Sequence, residues 1–269
     1  MFGYADKKVV LTGGASGVGA AAVEMIAELG CTDLTVLDIM EPTGPATQFI
    51  PTDMSDPDSV DAAVAEIGEG VDVLFNNAGV AGVHATGFVM AVNCFGLRRL
   101  TEGLLPGMNR GGAIVNTASI AGQGWPDNLA KILELLAAGS WDEAAQWVTD
   151  NDELVSADAY AFSKQVAQVW TMYSSKRTAE EFGVRTNSVC PGPIDTPLMG
   201  DFIKTMTEQV IQWTVDQSGG QMLSAEDIAR SLVMLGTDAS VAMNGHNVIA
   251  DNGFSAAMTT GQVDFSALS

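Results

Sequence analysis

The stretch "KKVVLTGGASGVGAAAVEMIAELG", Lys7 to Gly30, decides the fold. A short apolar run ends at Thr12, glycines stand at 13, 14, 17 and 19, and apolar residues at helical spacing then run to a stop at Gly30. The order is strand, glycine turn, helix. Glycine allows backbone turns closed to other residues and lets a ligand approach the main chain closely. The helix start presents unpaired N–H groups and the positive end of its dipole, a seat for phosphate oxygens. Glycines end many strands, so the turn alone is weak; its place after the first strand and before the first helix carries the weight.

Downstream, strand and helix signals alternate. "LTVLD" is a strand closing on Asp38, and "TQFIPTD" a third strand closing on Asp53. "DPDSVDAAVAEIG" has the acidic, proline-bearing start of a helix. "VDVLFNNAG" and "GGAIVNTAS" read as buried strands, joined by one long helix from about Thr86 to Met108. "DAYAFSKQVAQVWTMYSSKRTAEEFG" predicts a second long helix and "VRTNSVCPG" a strand. "SAEDIARSLVMLG" predicts a helix opened by a capping box at Ser224, and "NVIADNG" ends the sheet. Such alternation builds a doubly wound parallel sheet, an α/β fold. No linker, repeat or low-complexity segment interrupts it, so residues 1–269 read as one domain. The terminal "TTGQVDFSALS" carries no element signal and either frays or covers a neighbouring subunit.

Composition narrows the function. With 47% hydrophobic and 17% charged residues, the 269-residue chain can bury a full core. No run of 18 or more apolar residues occurs, and the N-terminus lacks the sections of a signal peptide. Cys31, Cys94 and Cys190 are far apart and odd in number, which fits a reducing cytoplasm without disulfides. His84 and His246 have no ligand-bearing neighbours in sequence, so no metal site is expected. Twelve Lys+Arg against 33 Asp+Glu give a net charge of -21, which makes the protein acidic and repels nucleic acid and anionic membranes alike.

The remaining chemistry converges on one sheet edge. Asp38 lies 19 residues after Gly19, where a carboxylate accepts hydrogen bonds from a ribose 2'-hydroxyl and repels a 2'-phosphate. No lysine or arginine occurs in the glycine loop or in "DIMEPTG", so the residues favour NAD over NADP. Tyr160 and Lys164, one helical turn apart in "DAYAFSKQV", share a helix face. A solvated lysine beside a flanking aromatic would give the same pattern, so the pair needs the other motifs. "NNAG" (Asn76–Gly79) ends strand four, Asn93 lies in the helix that follows, Ser119 ends strand five, and "PGPIDTP" (Pro191–Pro197) follows strand six. Carboxyl ends of parallel strands are where an open α/β sheet binds its ligand.

Thr-Gly-x-x-x-Gly-x-Gly, Asn-Asn-Ala-Gly, Ser, Tyr-x-x-x-Lys and Pro-Gly in this order resemble a short-chain dehydrogenase/reductase of the compact, single-domain type, over nearly the whole sequence. The resemblance implies a Rossmann-like sheet of about seven strands, a nicotinamide cofactor, and a catalytic set of Asn93, Ser119, Tyr160 and Lys164. It implies cofactor contacts from Gly13, Ser16, Gly17, Val18 and Gly19, from Asp38 and Ile39, and from Asp53 and Met54 near the adenine. Asn77, Ala78 and Gly79 would follow toward the ribose, with Tyr160, Lys164, Pro191, Gly192, Ile194 and Thr196 toward the nicotinamide end. A phenol with a pKa near ~10 is a poor base at neutral pH. An adjacent ammonium and a cationic nicotinamide would favour the phenolate, so Tyr160 could exchange a proton with the substrate oxygen that Ser119 holds. Lys164 would also bind the ribose, and Asn93 would hold a water linking Lys164 to solvent.

One departure bears on substrate. Ser119 and Tyr160 are 41 residues apart, farther than in most of that family, with an insertion at about 124–157. "NLAKILELLAAG" and "SWDEAAQWV" predict a helical hairpin between strand five and the tyrosine helix. The insertion either elaborates the surface or forms a lid carrying Trp125, Leu129 and Ile132 onto a flat apolar substrate. Its place resembles that in bacterial 3α-hydroxysteroid dehydrogenase/carbonyl reductases and coniferyl-alcohol dehydrogenases. Met199, Phe202, Ile203 and Met206 form a second stripe at helical spacing, either a substrate lid or plain core. The expected partner is a small apolar alcohol or ketone, in a homodimer or homotetramer; the competing reading is a non-catalytic NAD-binding regulator on the same fold.

Overall fold

The computed structural model describes residues 2–266. Lys8–Thr12 (β1) runs through the glycine turn into Gly17–Glu28 (α1); Asp33–Asp38 (β2), Gln48–Pro51 (β3), Pro57–Ile67 (α2) and Val73–Asn76 (β4) follow. The long helix of the sequence reading divides into Thr86–Met90 (α3), a π-helical segment Ala91–Gly96 and Leu97–Leu104 (α4), closed by a 3-10 turn Leu105–Gly107. Ala113–Thr117 (β5) leads to the insertion, Trp125–Leu136 (α5), Trp141–Asp150 (α6) and Asp152–Ser156 (α7). Ala159–Arg177 (α8) carries the Tyr/Lys pair into Arg185–Pro191 (β6). Ile194–Asp195 (β7), Met199–Met206 (α9), Glu208–Asp216 (α10), Leu223–Ser224 (β8), Ala225–Gly236 (α11), Asn247–Ala250 (β9) and Phe254–Thr259 (α12) complete the chain. Among these helices none is long and apolar enough to cross a membrane.

The main sheet is parallel throughout, in the order β3-β2-β1-β4-β5-β6-β9, and β7 pairs β8 in a separate two-stranded ribbon. Helices cover both faces. Ile26 of α1 and Ile228 and Leu232 of α11 pack under Val9, Leu11 and Phe75 on one side. Val60 and Ile67 of α2 and Leu100 and Leu104 of α4 pack against Val10, Leu74 and Ile114 on the other. Strand order reverses between β1 and β4, and the crevice there opens at the strands' carboxyl ends.

Two boundaries differ from the sequence reading. β3 ends at Pro51, so Asp53 lies in the turn beyond the strand, where its Oδ1 accepts Ser55 N–H and Oγ–H. The pattern could not place this end, because Pro51 and Thr52 break no alternation. The chain end "TTGQVDFSALS" covers its own subunit: Trp213 Nε1 donates to Asp264 O at 2.7 Å, and its ring meets Phe265. Residues 267–269 of that stretch lie outside the described residues.

The insertion has three helices in place of the expected two, and it forms its own apolar layer. Ile132, Leu135, Leu136, Val148 and Val155 pack with Phe162, Val166, Val169 and Trp170 on the back of α8. Ile132, expected on a lid, is fully buried there. Leu129 packs against the same cluster. Helical spacing identifies an apolar face but not the surface it will cover.

One buried cation anchors β6. Arg185 has no carboxylate partner among the described residues; it donates to Thr237 O at 2.6 Å, Gly236 O and Gly111 O at 3.1 Å each, and Ser240 Oγ. Gly236 and Thr237 end α11, where the helix dipole is negative. Arg185→Leu is expected to cost about 3 kcal/mol by orphaning these carbonyls, read as a lower urea midpoint. A change under about 0.5 kcal/mol would show that the carbonyls find other donors.

Candidate active site

The glycine turn is held by side chains from neighbouring strand ends. Thr12 Oγ1 accepts the N–H groups of Asn77 and Ala78 at 2.9 Å each, so the end of β1 is tied to that of β4. Asn77 Nδ2 donates to Gly13 O at 3.1 Å, and Thr117 Oγ1 donates to Asn77 Oδ1. Gly19 lies so close to the turn that a Cβ there would stand 1.8 Å from Gly13 O. Ser16 and Val18 flank the start of α1, with Ser16 at its N-cap. Asp38 closes β2; its Oδ2 accepts Ala15 N–H of the glycine turn at 2.9 Å and its Oδ1 accepts Met40 N–H at 3.1 Å. Ile39 beside it is exposed, Met54 is buried under Gly96, and Asp53 is exposed.

Ser119 follows β5 by two residues as the N-cap of a 3-10 turn; its Oγ accepts Ala121 N–H. Gln168 Nε2 donates to Ser119 O at 2.7 Å, pinning that turn to α8. Asp158 caps α8 through Ala161 N–H and so sets the register that points Tyr160 and Lys164 along one face. The Ser119 hydroxyl lies beside the Tyr160 phenol and favours its ionised form. Lys164 Nζ stands 5.7 Å from the Tyr160 ring centroid and donates to Thr117 O at 2.8 Å. Serine, phenol and ammonium therefore lie together at the carboxyl edge of the sheet.

Burial dominates the acidity of the pair. Burial pushes the Tyr160 phenol up to about 12; the Ser119 hydrogen bond pulls against it and Asp158 adds to it. Burial also pushes the Lys164 ammonium down to about 8. The amine sits toward the ring and is engaged by Thr117 O, so in the protein alone it does not draw the phenol downward. Burial is the largest influence on both groups, and it disfavours the charged form of each.

Asn93 lies on the π segment, whose wider turn presents its amide to the loop after β4. Its Oδ1 accepts Val80 N–H at 2.9 Å, and its Nδ2 donates to Val80 O and Ser163 Oγ at 3.0 Å each. The amide clamps the loop after β4 to α8. Gly79 sits between Asn93 Oδ1 and Lys164 Nζ, which a Cβ would approach to 3.3 and 3.5 Å.

Pro191 ends β6 in the interior, Gly192 packs against Asp251, and Ile194 pairs with Leu223. Thr196 leans over Gly17. Phe202 of α9 meets the Tyr160 ring edge-on, centroids 4.8 Å apart. Met199 is half-buried, whereas Ile203 and Met206 face solvent. Trp125 lines a different cleft with Gln123, Gln168 and Ser255, whose walls include none of Asn93, Ser119, Tyr160 and Lys164. Sequence reading missed Thr12, Thr117, Ser163 and Gln168; only their long-range partners mark them.

Comparison with known proteins agrees with this geometry. Residues 7–130 match the family model described as short chain dehydrogenase, and residues 148–255 one described as Enoyl-(Acyl carrier protein) reductase. The chain is 30% identical to a coniferyl-alcohol dehydrogenase of Pseudomonas sp. strain HR199, covering 92% of this chain and 96% of that protein. It is also 30% identical to a cis-4-hydroxycyclohexanecarboxylate dehydrogenase of Sinomonas cyclohexanicum, over 94% and 98% of the two chains. The 3-alpha-hydroxysteroid dehydrogenase of Pseudomonas sp. B-0831, solved with NADH, superimposes with a TM-score of 0.78 at 26% identity, covering 94% of this chain and 99% of that one.

Proposed function

The chain belongs to the short-chain dehydrogenase/reductase family, oxidoreductases of alcohol-dehydrogenase type, and we propose that it interconverts a hydrophobic, ring-bearing alcohol and its carbonyl with NAD, using Tyr160 as the acid–base. The observation that carries the reading is the convergence of Ser119, Tyr160 and Lys164 beside a glycine turn without room for a Cβ at Gly19. That turn, the start of α1 and the Asp38 carboxylate fit a dinucleotide: N–H donors for phosphate and an acceptor for a ribose hydroxyl. When bound, the nicotinamide supplies the acceptor or donor of the hydride.

The protein's own residues handle the proton. Tyr160 Oη takes it from the alcohol oxygen, or returns it to the carbonyl oxygen in reverse. Ser119 Oγ hydrogen-bonds that oxygen and the phenol together, orienting one toward the other. Lys164, held by Thr117 O, would bind the cofactor ribose and supply positive charge near the phenol as it ionises. Asn93 keeps the Val80 loop and α8 at fixed spacing. Phe202 against Tyr160 supplies an apolar wall, which favours a ring over a sugar or a charged group. The relatives named for coniferyl alcohol and a 3-alpha-hydroxysteroid support the same class, and the one named for a hydroxycyclohexanecarboxylate supports the ring though not the absence of charge.

The test is a spectrophotometric screen of steroid, aryl and aliphatic alcohols with NAD and again with NADP. Turnover of ring-bearing alcohols with NAD is the expected result. NADH binding with no turnover of any alcohol would favour a non-catalytic regulator. The preference for NAD rests on Asp38, whose carboxylate would repel a 2'-phosphate. Asp38→Asn is expected to raise kcat/KM with NADP relative to NAD by about tenfold, the factor that 1.4 kcal/mol supplies. An unchanged ratio would place cofactor choice elsewhere.

A further inference from the structure

Ser119 stands on the turn after β5 and Tyr160 on α8, so their spacing depends on how that turn meets that helix. One side chain governs the meeting from the helix side. Gln168 lies eight residues after Tyr160 and four after Lys164, on the same stripe of α8. Its Nε2 donates to the Ser119 carbonyl at 2.7 Å, across 49 residues of chain. Helix rise puts this brace only ~12 Å along the axis from the tyrosine.

Gln168 is 2% exposed, at a position that a methionine would fill without desolvating an amide. The Ser119 carbonyl already accepts Gly122 N–H at 3.1 Å within the turn, so Gln168 is not needed to satisfy it. What the amide adds is a link from the serine to the helix that carries Tyr160 and Lys164. The turn comes this close because residue 122 is glycine: a Cβ there would stand 2.6 Å from Gln168 Nε2 and 2.6 Å from the Lys164 carbonyl oxygen. The far end of the turn is held separately, by Gln123 Nε2 donating to Ser255 Oγ at 2.6 Å. Gln168 is thus the brace at the serine itself.

We propose that Gln168 is a positioning residue for the reaction: its amide holds the Ser119 peptide against α8, so that the serine hydroxyl and the Tyr160 phenol meet the same substrate oxygen. The assignment rests on the reading that Ser119 and Tyr160 handle the proton step. Gln168 acts through Ser119 and touches neither substrate nor cofactor. A shift of about 1 Å in a reacting group costs on the order of a hundredfold in rate, and loss of this brace permits part of such a shift.

Steady-state kinetics of Gln168→Met test it, with NAD and the ring-bearing alcohol turned over fastest in the screen above. Met keeps the length of the side chain and lacks the donor. The expected result is a kcat lowered about tenfold, with NADH affinity within about twofold and the melting temperature within about 3 °C of the original. In a Ser119→Ala background no hydroxyl remains to be positioned, and Gln168→Met should then change kcat by less than about twofold. An equal loss in both backgrounds overturns the proposal, because the effect would then be one of general packing. Lost NADH binding, or a melting temperature lowered by more than about 10 °C, overturns it for the same reason. An unchanged kcat in the single variant overturns it while the catalytic reading stands. An original chain that turns over no alcohol with either cofactor fails the catalytic reading, and this assignment falls with it.

Discussion

Tyr160→Phe is expected to lower turnover by about a thousandfold or more, within the range that acid–base groups contribute, while NADH binds as before. The substitution removes only Oη. The ring remains, so its edge-on contact with Phe202 and its place over Lys164 persist. Ser119 loses a partner but keeps Ala121 N–H. The proton then has no residue at hand, since Ser119 is a far weaker base than a phenolate. Undiminished turnover would refute the mechanism; lost NADH binding would show that the phenol serves the cofactor and leave its proton role unproved.

The same phenol sets a pH dependence. Burial holds it up at about 12, so at neutral pH it carries its proton. Alcohol oxidation needs the deprotonated form and is expected to gain rate steadily from pH 6 to 9. Carbonyl reduction needs the protonated form and should not gain. A bound cationic nicotinamide would bring the oxidation limb to lower pH than the unliganded protein implies. Rates of oxidation that fall over this range would remove Tyr160 as the base.

Gly19→Ala should be nearly as damaging, by another route. The added methyl would stand 1.8 Å from Gly13 O and 2.6 Å from Asn77 Nδ2. Both belong to the turn that Thr12 and Asn77 hold together. Relief requires the turn and α1 to move apart, which displaces the N–H groups that would hold a pyrophosphate and breaks the Asn77–Gly13 hydrogen bond. NADH affinity is expected to fall about a hundredfold, equivalent to some ~2.7 kcal/mol, with a smaller loss of thermal stability. Fluorescence titration measures the first and a melting curve the second. An affinity within about threefold of the original would show that the dinucleotide is not held at this turn.

Much of this architecture was already legible in the chain, for reasons of period. Strands such as Val9–Leu11 and Leu74–Phe75 are continuous apolar runs because parallel sheets are covered on both faces. Helices such as Pro57–Ile67 repeat near 3.6 and carry their own caps, here Asp56. Local signals of this kind survive without tertiary knowledge. The Tyr160–Lys164 spacing is local too, so their shared face followed directly. Ser119 was found by its place after a strand, where ligand edges form.

What failed was long-range or depended on environment. Nothing local separates the π segment at Ala91–Gly96 from ordinary helix, since that widening serves contacts with Val80 and Ser163. Spacing showed that Leu129 and Ile132 shared an apolar face, but Phe162, Val166 and Trp170 claimed it. Charge is visible in a sequence, but the burial that pushes Tyr160 up and Lys164 down is not.

The sequence by itself therefore determined the parallel α/β frame, the glycine turn and the residues gathered at the strand ends. Repeat period and backbone chemistry are properties of short segments, which dictate them alone. Only the tertiary structure decided how the insertion packs, which side chains orient Ser119 and Asn93, and how burial moves two ionisable groups. Each of these depends on the free energy of surfaces meeting across tens of residues of chain, and such meetings leave no periodic trace.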